Sequence, residues 1–340
     1  MKHLLSYLLL PFLLFTSCDS WLDLGSEDRI MENTLFSSQA GFMTALNGVY
    51  IELNTNELYG RNLTAGALDV MGQYYSVASS SHAFYNYGGL VYTGNDEKAL
   101  FDNMWQKCYA VIACCNTIIE KCDENKAGLS PVWRGSIKGE ALALRAMLHF
   151  DMLRLFGPLT SELDKESIPY QTNSDQTVTP LLSGSEVVGL ILDDLKNAVG
   201  LLKDTDPYFV EEEFSDTDLN YRRFRMNYFA AKGLMARVQL WGGDKEKAAA
   251  TAKEVIAEGQ AEGAEFFPFV TNSEATSSNP DRVFYSEVLF AFEYCFRSFD
   301  FFWGSDEMVV GQESADDNHY CNDGSQEYVF VFDQERFRSA

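Results

Sequence analysis

The amino-acid sequence predicts a mostly α-helical fold, built from helical hairpins and interrupted by long irregular loops with a few short strands. Apolar residues recur at steps of three and four along several long segments, which is the period of a helix with one buried face. Several of these segments end at glycine followed by proline or aspartate, which terminate helices. Three stretches lack this period and are expected to be irregular: residues 69–95, 203–225 and 262–340.

The first 17 residues are predicted to be a lipoprotein signal peptide. A short basic start is followed by a mostly apolar stretch at residues 4–15, which is too short to span a bilayer comfortably. Residues 15–18, Phe-Thr-Ser-Cys, resemble a bacterial lipobox in which Phe15 replaces the usual leucine, so Cys18 would carry the lipid. The alternative is an ordinary secretory signal with an incidental Cys18.

Residues 34–53 and 97–122 predict two long amphipathic helices. Ser37 or Ser38 is the expected cap of the first. The second carries one apolar stripe: Phe101, Trp105, Cys108, Ile112, Cys115, Ile119 and Cys122. Cysteines seven residues apart on one helix cannot bridge each other, so we expect them to be small buried hydrophobic residues. Asn116 lies beside this stripe and is expected to hydrogen-bond a neighbouring backbone.

Residues 139–156 predict a helix that ends at Gly157-Pro158. Arg145 and His149 lie one turn apart on it. We expect Arg145 to pair with an acidic residue of another helix, the alternative being that Arg145 and His149 contact a ligand.

Residues 186–202 predict a helix with Leu190 facing inward and the adjacent Asp193 and Asp194 facing water. Adjacent helical residues point about 100° apart, so these two carboxylates make a poor acid–base pair for glycoside hydrolysis.

Residues 226–258 give the clearest hairpin. A first helix ends at Gly242-Gly243-Asp244, and an alanine-rich helix follows. The arrangement resembles a tetratricopeptide unit, which cannot bury its own apolar face alone. Other helices must therefore stack on it.

The composition excludes several functions. Lysine and arginine total 26 and aspartate and glutamate total 50, which gives a formal net charge of −24. A surface this acidic repels phosphate backbones and anionic lipids, so we expect no nucleic-acid partner and no membrane contact beyond a lipid anchor. The chain has only four histidines, no CxxC pair, no HExxH and no phosphate-binding loop. We therefore expect no metal and no cofactor.

The chain resembles the SusD/RagB family of nutrient-binding outer-membrane lipoproteins of Bacteroidota. The resemblance is distributed over roughly residues 18–260 and keeps the family's order. It rests on the lipobox with residues 18–23, residues 46–50, Trp105, Tyr109, Ile112, Asn116, residues 140–146, Phe156-Gly157, Ile168-Pro169, Asp194-Leu195 and the hairpin at 230–252.

This resemblance implies one domain over residues 18–340, with a superhelical scaffold of tetratricopeptide-like hairpins at about 34–260 and an aromatic irregular region at 262–340. It also implies non-catalytic binding of glycans at the cell surface and delivery to a SusC-like TonB-dependent outer-membrane transporter. Members of the family usually continue beyond this length, so we expect a C-terminally truncated chain. The alternatives are a helical outer-membrane glycoside hydrolase and a peptide-binding or protein-interaction scaffold.

Sugars stack their C–H faces on aromatic rings, so a glycan site requires exposed aromatic residues on a fixed loop. Two stretches supply them, and serines precede the rings of the first. The candidate ligand-binding residues are Tyr74, Tyr75, Tyr85, Asn86, Tyr87 and Tyr92 in the first stretch, and Phe301 and Trp303 in the second. The alternative for each ring is that it packs its loop onto the helices. No catalytic residue is predicted.

Overall fold

The computed structural model describes residues 27–175, 177–210, 213–215, 221–261, 264–278, 280–281, 283–294 and 327–332. It confirms the mostly α-helical fold class. The helices are α1 Glu27–Leu35, α2 Gln39–Leu53, α3 Ala67–Met71, α4 Tyr85–Gly88, α5 Asn95–Glu124, α6 Pro131–Phe156, α7 Gly184–Thr205, α8 Tyr228–Trp241, α9 Lys245–Gly259 and α10 Asn272–Ala275. The strands are β1 Glu166–Pro169, β2 Leu181–Ser183, β3 Gln260–Ala261, β4 Ala264–Glu265, β5 Phe290–Tyr294 and β6 Glu327–Phe332.

Side-chain caps explain where the main helices begin. The Ser38 hydroxyl accepts the Gly41 N–H at 3.2 Å and starts α2, one of the two caps expected. Ser183 and Glu186 form a reciprocal capping box at the start of α7. Helix α6 begins at Pro131, well before residue 139, because Ser130 caps it and proline is favoured in the first turn. It ends at Phe156, as predicted.

Helix α6 is the centre of the scaffold. It packs along α5 on one side and along α7 on the other, and α7 in turn packs on α8. The whole circumference of α6 is buried from Gly139 to Leu153. A methyl group at Gly139 would lie 2.7 Å from the Leu202 side chain, so glycine allows α6 and α7 to approach closely. On α5, Cys108, Cys115 and Cys122 are buried free thiols, as predicted.

Two expectations for α7 are wrong. Leu190 is exposed, whereas Asp194 is buried and only Asp193 faces water. The apolar face of α7 lies between α6 and α8, and Asp194 at its edge is turned inward because a cationic partner on α6 meets it there.

The predicted hairpin is formed by α8 and α9. Gly243, with a φ of +92°, makes the turn between them, and the Asp244 side chain caps α9 by accepting the Lys247 N–H. The Lys232 ammonium group of α8 donates to both carboxylate oxygens of Glu258 on α9, each at 2.9 Å. The two helices are therefore joined by an ion pair as well as by their small residues.

A buried ionic cluster fixes the irregular stretch after α7. Arg222 is 1% exposed; its Nε and Nη2 donate to the two Asp206 oxygens at 2.9 and 2.6 Å, and its Nη1 pairs with Glu140. Glu140 also accepts from Arg225 and from the Tyr50 hydroxyl. Burial alone would raise the pKa of Glu140, but the two arginines hold it below its usual value, so this carboxylate is ionised.

The strands form three antiparallel pairs. Strand β1 pairs with β2 beside α7, and β3 pairs with β4 after α9. Strand β5 pairs with β6 with Phe292 opposite Val329, which places a strand over the predicted residues 328–332. Among the described residues, the helices are all too short or too polar to cross a membrane.

Candidate functional site

The candidate site is the aromatic loop, defined as residues 72–94 between α3 and α5. Its backbone is held in one conformation by local contacts. Gln73 has a φ of +62°, which is uncommon outside glycine, and its side-chain amide donates to the carbonyls of Val70 at 3.3 Å and Gly88 at 3.0 Å. The Tyr74 N–H donates to the Asp69 carbonyl at 2.9 Å. The two sides of the loop are thereby tied together.

A small hydrophobic core of its own supports the loop. Tyr87 is 2% exposed and lies with Ala67 and Val70 in a cluster separate from the main core. Its ring centroid lies 6.0 Å from that of Phe101 on α5, and the two rings meet edge to face. Phe101 also contacts Phe156 at the end of α6, so this small core rests on the scaffold.

Three tyrosines of the loop point away from this support. Tyr74 is 75% exposed, Tyr85 42% and Tyr75 40%. A methyl group at Gly72 would lie 3.1 Å from the Tyr74 ring, so the ring rests against the backbone at a residue without a side chain. Rings held in this way present apolar faces to solvent at a small cost in side-chain entropy, which suits stacking on a sugar.

Asn86 connects the loop to the start of α5. Its amide donates to the Glu97 carboxylate at 2.7 Å, and this hydrogen bond lowers the pKa of Glu97. Burial, together with the nearby Glu97 and Asp96 charges, raises the pKa of Tyr87 to about 12, so its phenol is neutral at any physiological pH. Glu97 and Gln73 therefore position the loop. Neither residue could be identified from the sequence, because neither belongs to a periodic apolar pattern.

The structure separates the predicted ligand residues into groups. Tyr74, Tyr75, Tyr85 and Asn86 lie on the surface of the aromatic loop, joined there by exposed Leu90 and Val91. Tyr87 is buried and Tyr92 is half-buried, so both rings support the loop. Phe301, Trp303 and the lipid-anchor residue Cys18 lie outside the described residues.

Arg145 and His149 are structural. Arg145 donates through Nε and Nη2 to Asp194 of α7, both at 2.7 Å, and through Nη1 to the side-chain oxygen of Asn116 at 2.8 Å. The Asn116 amide donates to the backbone carbonyls of Gln171 and Asn173, as expected of a buried asparagine. The expected ion pair between helices is confirmed.

Both nitrogens of the His149 ring are engaged. Nε2 accepts the Gln171 N–H at 3.0 Å, so Nδ1 carries the proton and donates to the Arg145 carbonyl at 2.9 Å. Burial lowers the pKa of His149 to about 3. The ring is therefore neutral and unavailable as a general base. Among the described residues, no group of three His, Cys, Asp or Glu side chains could hold a metal ion.

Comparison with known proteins gives a consistent result. Residues 20–240 match the SusD-like family described as starch-binding and associating with the outer membrane. A SusD-like protein of Bacteroides ovatus is 27% identical over 248 residues, which cover 71% of this chain and 39% of that protein. SusD-like protein P2 of Formosa agariphila is 25% identical over 66% of this chain and 40% of its own length. The chain thus spans about two fifths of the curated relatives it matches.

Solved structures share the fold. A SusD-like carbohydrate-binding protein from Bacteroides vulgatus aligns with a TM-score of 0.58 at 21% identity, covering 76% of this chain and 51% of that one. A laminarin-binding SusD-like protein aligns with a TM-score of 0.55 at 18% identity, covering 76% and 52%.

Proposed function

The chain belongs to the SusD-like family of starch-binding proteins that associate with the outer membrane, and on that premise we propose that it binds a glycan at the cell surface without cleaving it. The observation that carries the proposal is the aromatic loop, where Tyr74, Tyr75 and Tyr85 are exposed on a segment with its own hydrophobic core. Exposed rings on a fixed support provide stacking surfaces without an ordering cost at binding.

Four buried carboxylates of the scaffold support binding without catalysis. Glu140 and Asp206 pair with Arg222, Asp194 pairs with Arg145, and Asp151 pairs with Arg154. A general acid for glycoside hydrolysis requires access to the sugar, whereas these four carboxylates are buried partners of arginines inside the scaffold.

We propose that the glycan contacts are made by Tyr74, Tyr75, Tyr85 and Asn86, with Tyr87 and Tyr92 holding the loop beneath them. From the sequence we add Phe301 and Trp303 to the proposed surface. The laminarin-binding relative makes laminari-oligosaccharides the first probes to test, and the family description makes malto-oligosaccharides the second.

The binding experiment uses isothermal titration with both oligosaccharide series. The double substitution Tyr74→Ala/Tyr75→Ala should weaken binding at least about tenfold, because stacking on each of the two rings contributes about 1 kcal/mol and tenfold in affinity corresponds to about 1.4 kcal/mol. Tyr221→Ala is the matched control, since Tyr221 is 53% exposed on a different part of the surface. Equal affinity of the double variant and the wild type would refute the site.

Turnover is tested on the same samples. Incubation with a polysaccharide panel should release no reducing ends. Release that survives further purification would instead support the glycoside-hydrolase alternative.

Anchoring and delivery complete the proposal. Cys18 would carry the lipid, and the partner would be a SusC-like TonB-dependent transporter. Cys18→Ala should move the protein from the detergent phase to the aqueous phase in detergent partitioning. Affinity purification from outer membranes should recover a large barrel protein with the wild type, and its absence would contradict the delivery role.

A further inference from the structure

A groove on the face of α5, α6 and α7 has no part in the proposed glycan site. It consists of two adjoining clefts, of about 620 and 320 Å³, which share Gly200 and Leu201 of α7 in their linings. We call it the helical groove. Its floor follows one face of α6, with Arg134, Lys138, Leu142 and Arg145 at helical spacing.

The dimensions of the helical groove suit an extended chain. From Pro131 to Arg145 the lining residues span 14 steps of α6, which at 1.5 Å per residue is about 20 Å. An extended peptide covers this length with about six residues. Gly200 of α7 leaves further free space in the groove, because a methyl group placed there would meet no atom within 4 Å.

The charge of the helical groove is opposite to that of the chain. Among the described residues, its lining carries Arg134, Lys138, Arg145 and Lys196 against Asp194 and Asp204, in a protein with a net charge of −24. Arg145 is neutralised by Asp194, and Lys138 pairs with Asp123. Lys196 and Arg134 are exposed, and within the described ranges no carboxylate pairs with either of them.

The chemistry of the lining favours a peptide over a neutral glycan. The apolar part consists of aliphatic side chains, including Ile119, Leu142 and Leu201, and among the residues that the structure describes no aromatic ring lines either cleft for a sugar to stack on. Aliphatic side chains on the floor with unpaired cations at the rim accept alternating apolar and acidic residues.

We propose that the helical groove binds an extended acidic segment of a partner protein, with its apolar side chains over Leu142 and Leu201 and its carboxylates at Lys196 and Arg134. This surface is distinct from the aromatic loop, so its occupancy does not depend on the glycan proposal. Complementary charge in this place gives specificity and a salt-dependent rate of association.

The test uses a fluorescein-labelled hexapeptide, acetyl-Asp-Leu-Asp-Leu-Asp-Leu-amide, in fluorescence anisotropy at two salt concentrations. Binding should weaken as salt rises, and the corresponding Lys-Leu hexapeptide should not bind. Lys196→Glu/Arg134→Glu should raise the Kd at least about tenfold. The control for reversing a surface charge is Lys253→Glu, at an exposed position on α9 outside the groove. This variant should leave the Kd within about twofold of the wild-type value.

A second pair of variants tests the groove by shape. Gly200→Leu places a side chain in the groove and should abolish peptide binding, whereas Gly189→Leu, also on α7 and also facing open space, should not. Helical circular dichroism confirms that each variant is folded.

Three results would overturn the proposal: no binding of the acidic peptide up to millimolar concentration, equal binding of the lysine peptide, or equal affinity of the groove variants. Binding of an oligogalacturonate in place of the peptide, with the same sensitivity to Gly200→Leu, would assign the groove to acidic glycans and also overturn it. Titration of laminari- and malto-oligosaccharides into the groove variants keeps a failure here separate from a failure of the aromatic-loop site.

Discussion

The helical scaffold and the aromatic loop are held in place by different kinds of interaction. In the scaffold, buried ions hold the segments together: Arg222 with Asp206 and Glu140 fixes the irregular stretch after α7, and Arg145 with Asp194 joins α6 to α7. In the aromatic loop, the corresponding contacts are a layer of rings around Tyr87 and side-chain amide hydrogen bonds, from Asn86 to Glu97 and from Gln73 to the carbonyls of Val70 and Gly88. Ionic clusters are costly to break, because each lost partner leaves an uncompensated charge. Ring clusters lose packing in proportion to the contact removed.

This difference makes the loop separable from the scaffold. Its small core contains residues of α3, α4 and the start of α5, and within the described residues Leu100 and Phe101 of α5 contact both this core and the main core. We therefore expect the loop to unfold locally while α5 to α7 stay folded.

The largest effect is expected in the scaffold, at Arg222. Arg222→Met removes the cation from between Asp206 and Glu140, which leaves buried Asp206 without a cationic partner and Glu140 with Arg225 alone. The free energy of unfolding should fall by about 3–5 kcal/mol, measured by urea denaturation. The triple variant Arg222→Met/Glu140→Gln/Asp206→Asn should recover part of this loss, since the uncompensated charges are gone. A loss below about 1 kcal/mol for Arg222→Met would contradict a major contribution of this ionic cluster to the stability of the scaffold.

The next effect is local and belongs to the loop. Tyr87→Ala removes the central ring of the small core and should cost about 3 kcal/mol in loop stability. Amide hydrogen exchange should accelerate in residues 72–94 while the amides of α5 to α7 stay protected. Tyr87→Phe keeps the ring and serves as the control. Uniform acceleration across α6 in the alanine variant would show that loop and scaffold unfold as one unit.

A third prediction concerns pH and returns to the scaffold. The folded pKa of His149 is about 3, below the ordinary value near 6.5, so between these values the unfolded chain binds a proton that the folded protein does not. The contribution of the neutral His149 ring to the free energy of unfolding is fully present above pH 6.5. It is lost as the pH falls towards 3, by at most about 1.4 kcal/mol per pH unit. Comparing His149→Gln with the wild type in urea at pH 7, 6 and 5 isolates this dependence, and equal slopes would contradict it.

Sequence and structure agree best where the helical period is strong. The stripe on α5, the end of α6 at Phe156 and the α8–α9 turn at Gly243 follow from spacing and terminators that act locally. Asp194 could not be placed in this way, because its burial depends on Arg145, which lies 49 residues away. The irregular core after α7 depends likewise on Arg222.

The candidate site shows a second limit of sequence reasoning. Tyr85 and Tyr87 are the same type of residue in the same stretch of sequence, yet Tyr85 is exposed and Tyr87 is buried. Both lie in the one-turn helix α4, where residues two apart point about 200° apart, so Tyr87 faces the small core and Tyr85 faces solvent. A helix of four residues is too short to show a period in the sequence. The sequence therefore identifies the loop as aromatic, while the backbone decides which rings are available.

The smallest effect is expected at the most exposed ring of the loop. Tyr74 is 75% exposed, so Tyr74→Ala removes little buried area and should change the free energy of unfolding by no more than about 0.5 kcal/mol. The same measurement on Leu142→Ala, a buried α6 residue, provides the scale, with an expected loss of about 2–5 kcal/mol. Tyr74→Ala should also leave hydrogen exchange in residues 72–94 unchanged, unlike Tyr87→Ala. A destabilisation of 2 kcal/mol or more would assign the Tyr74 ring to packing, and any weakened glycan binding by that variant would then follow from a disordered loop instead of a lost stacking surface.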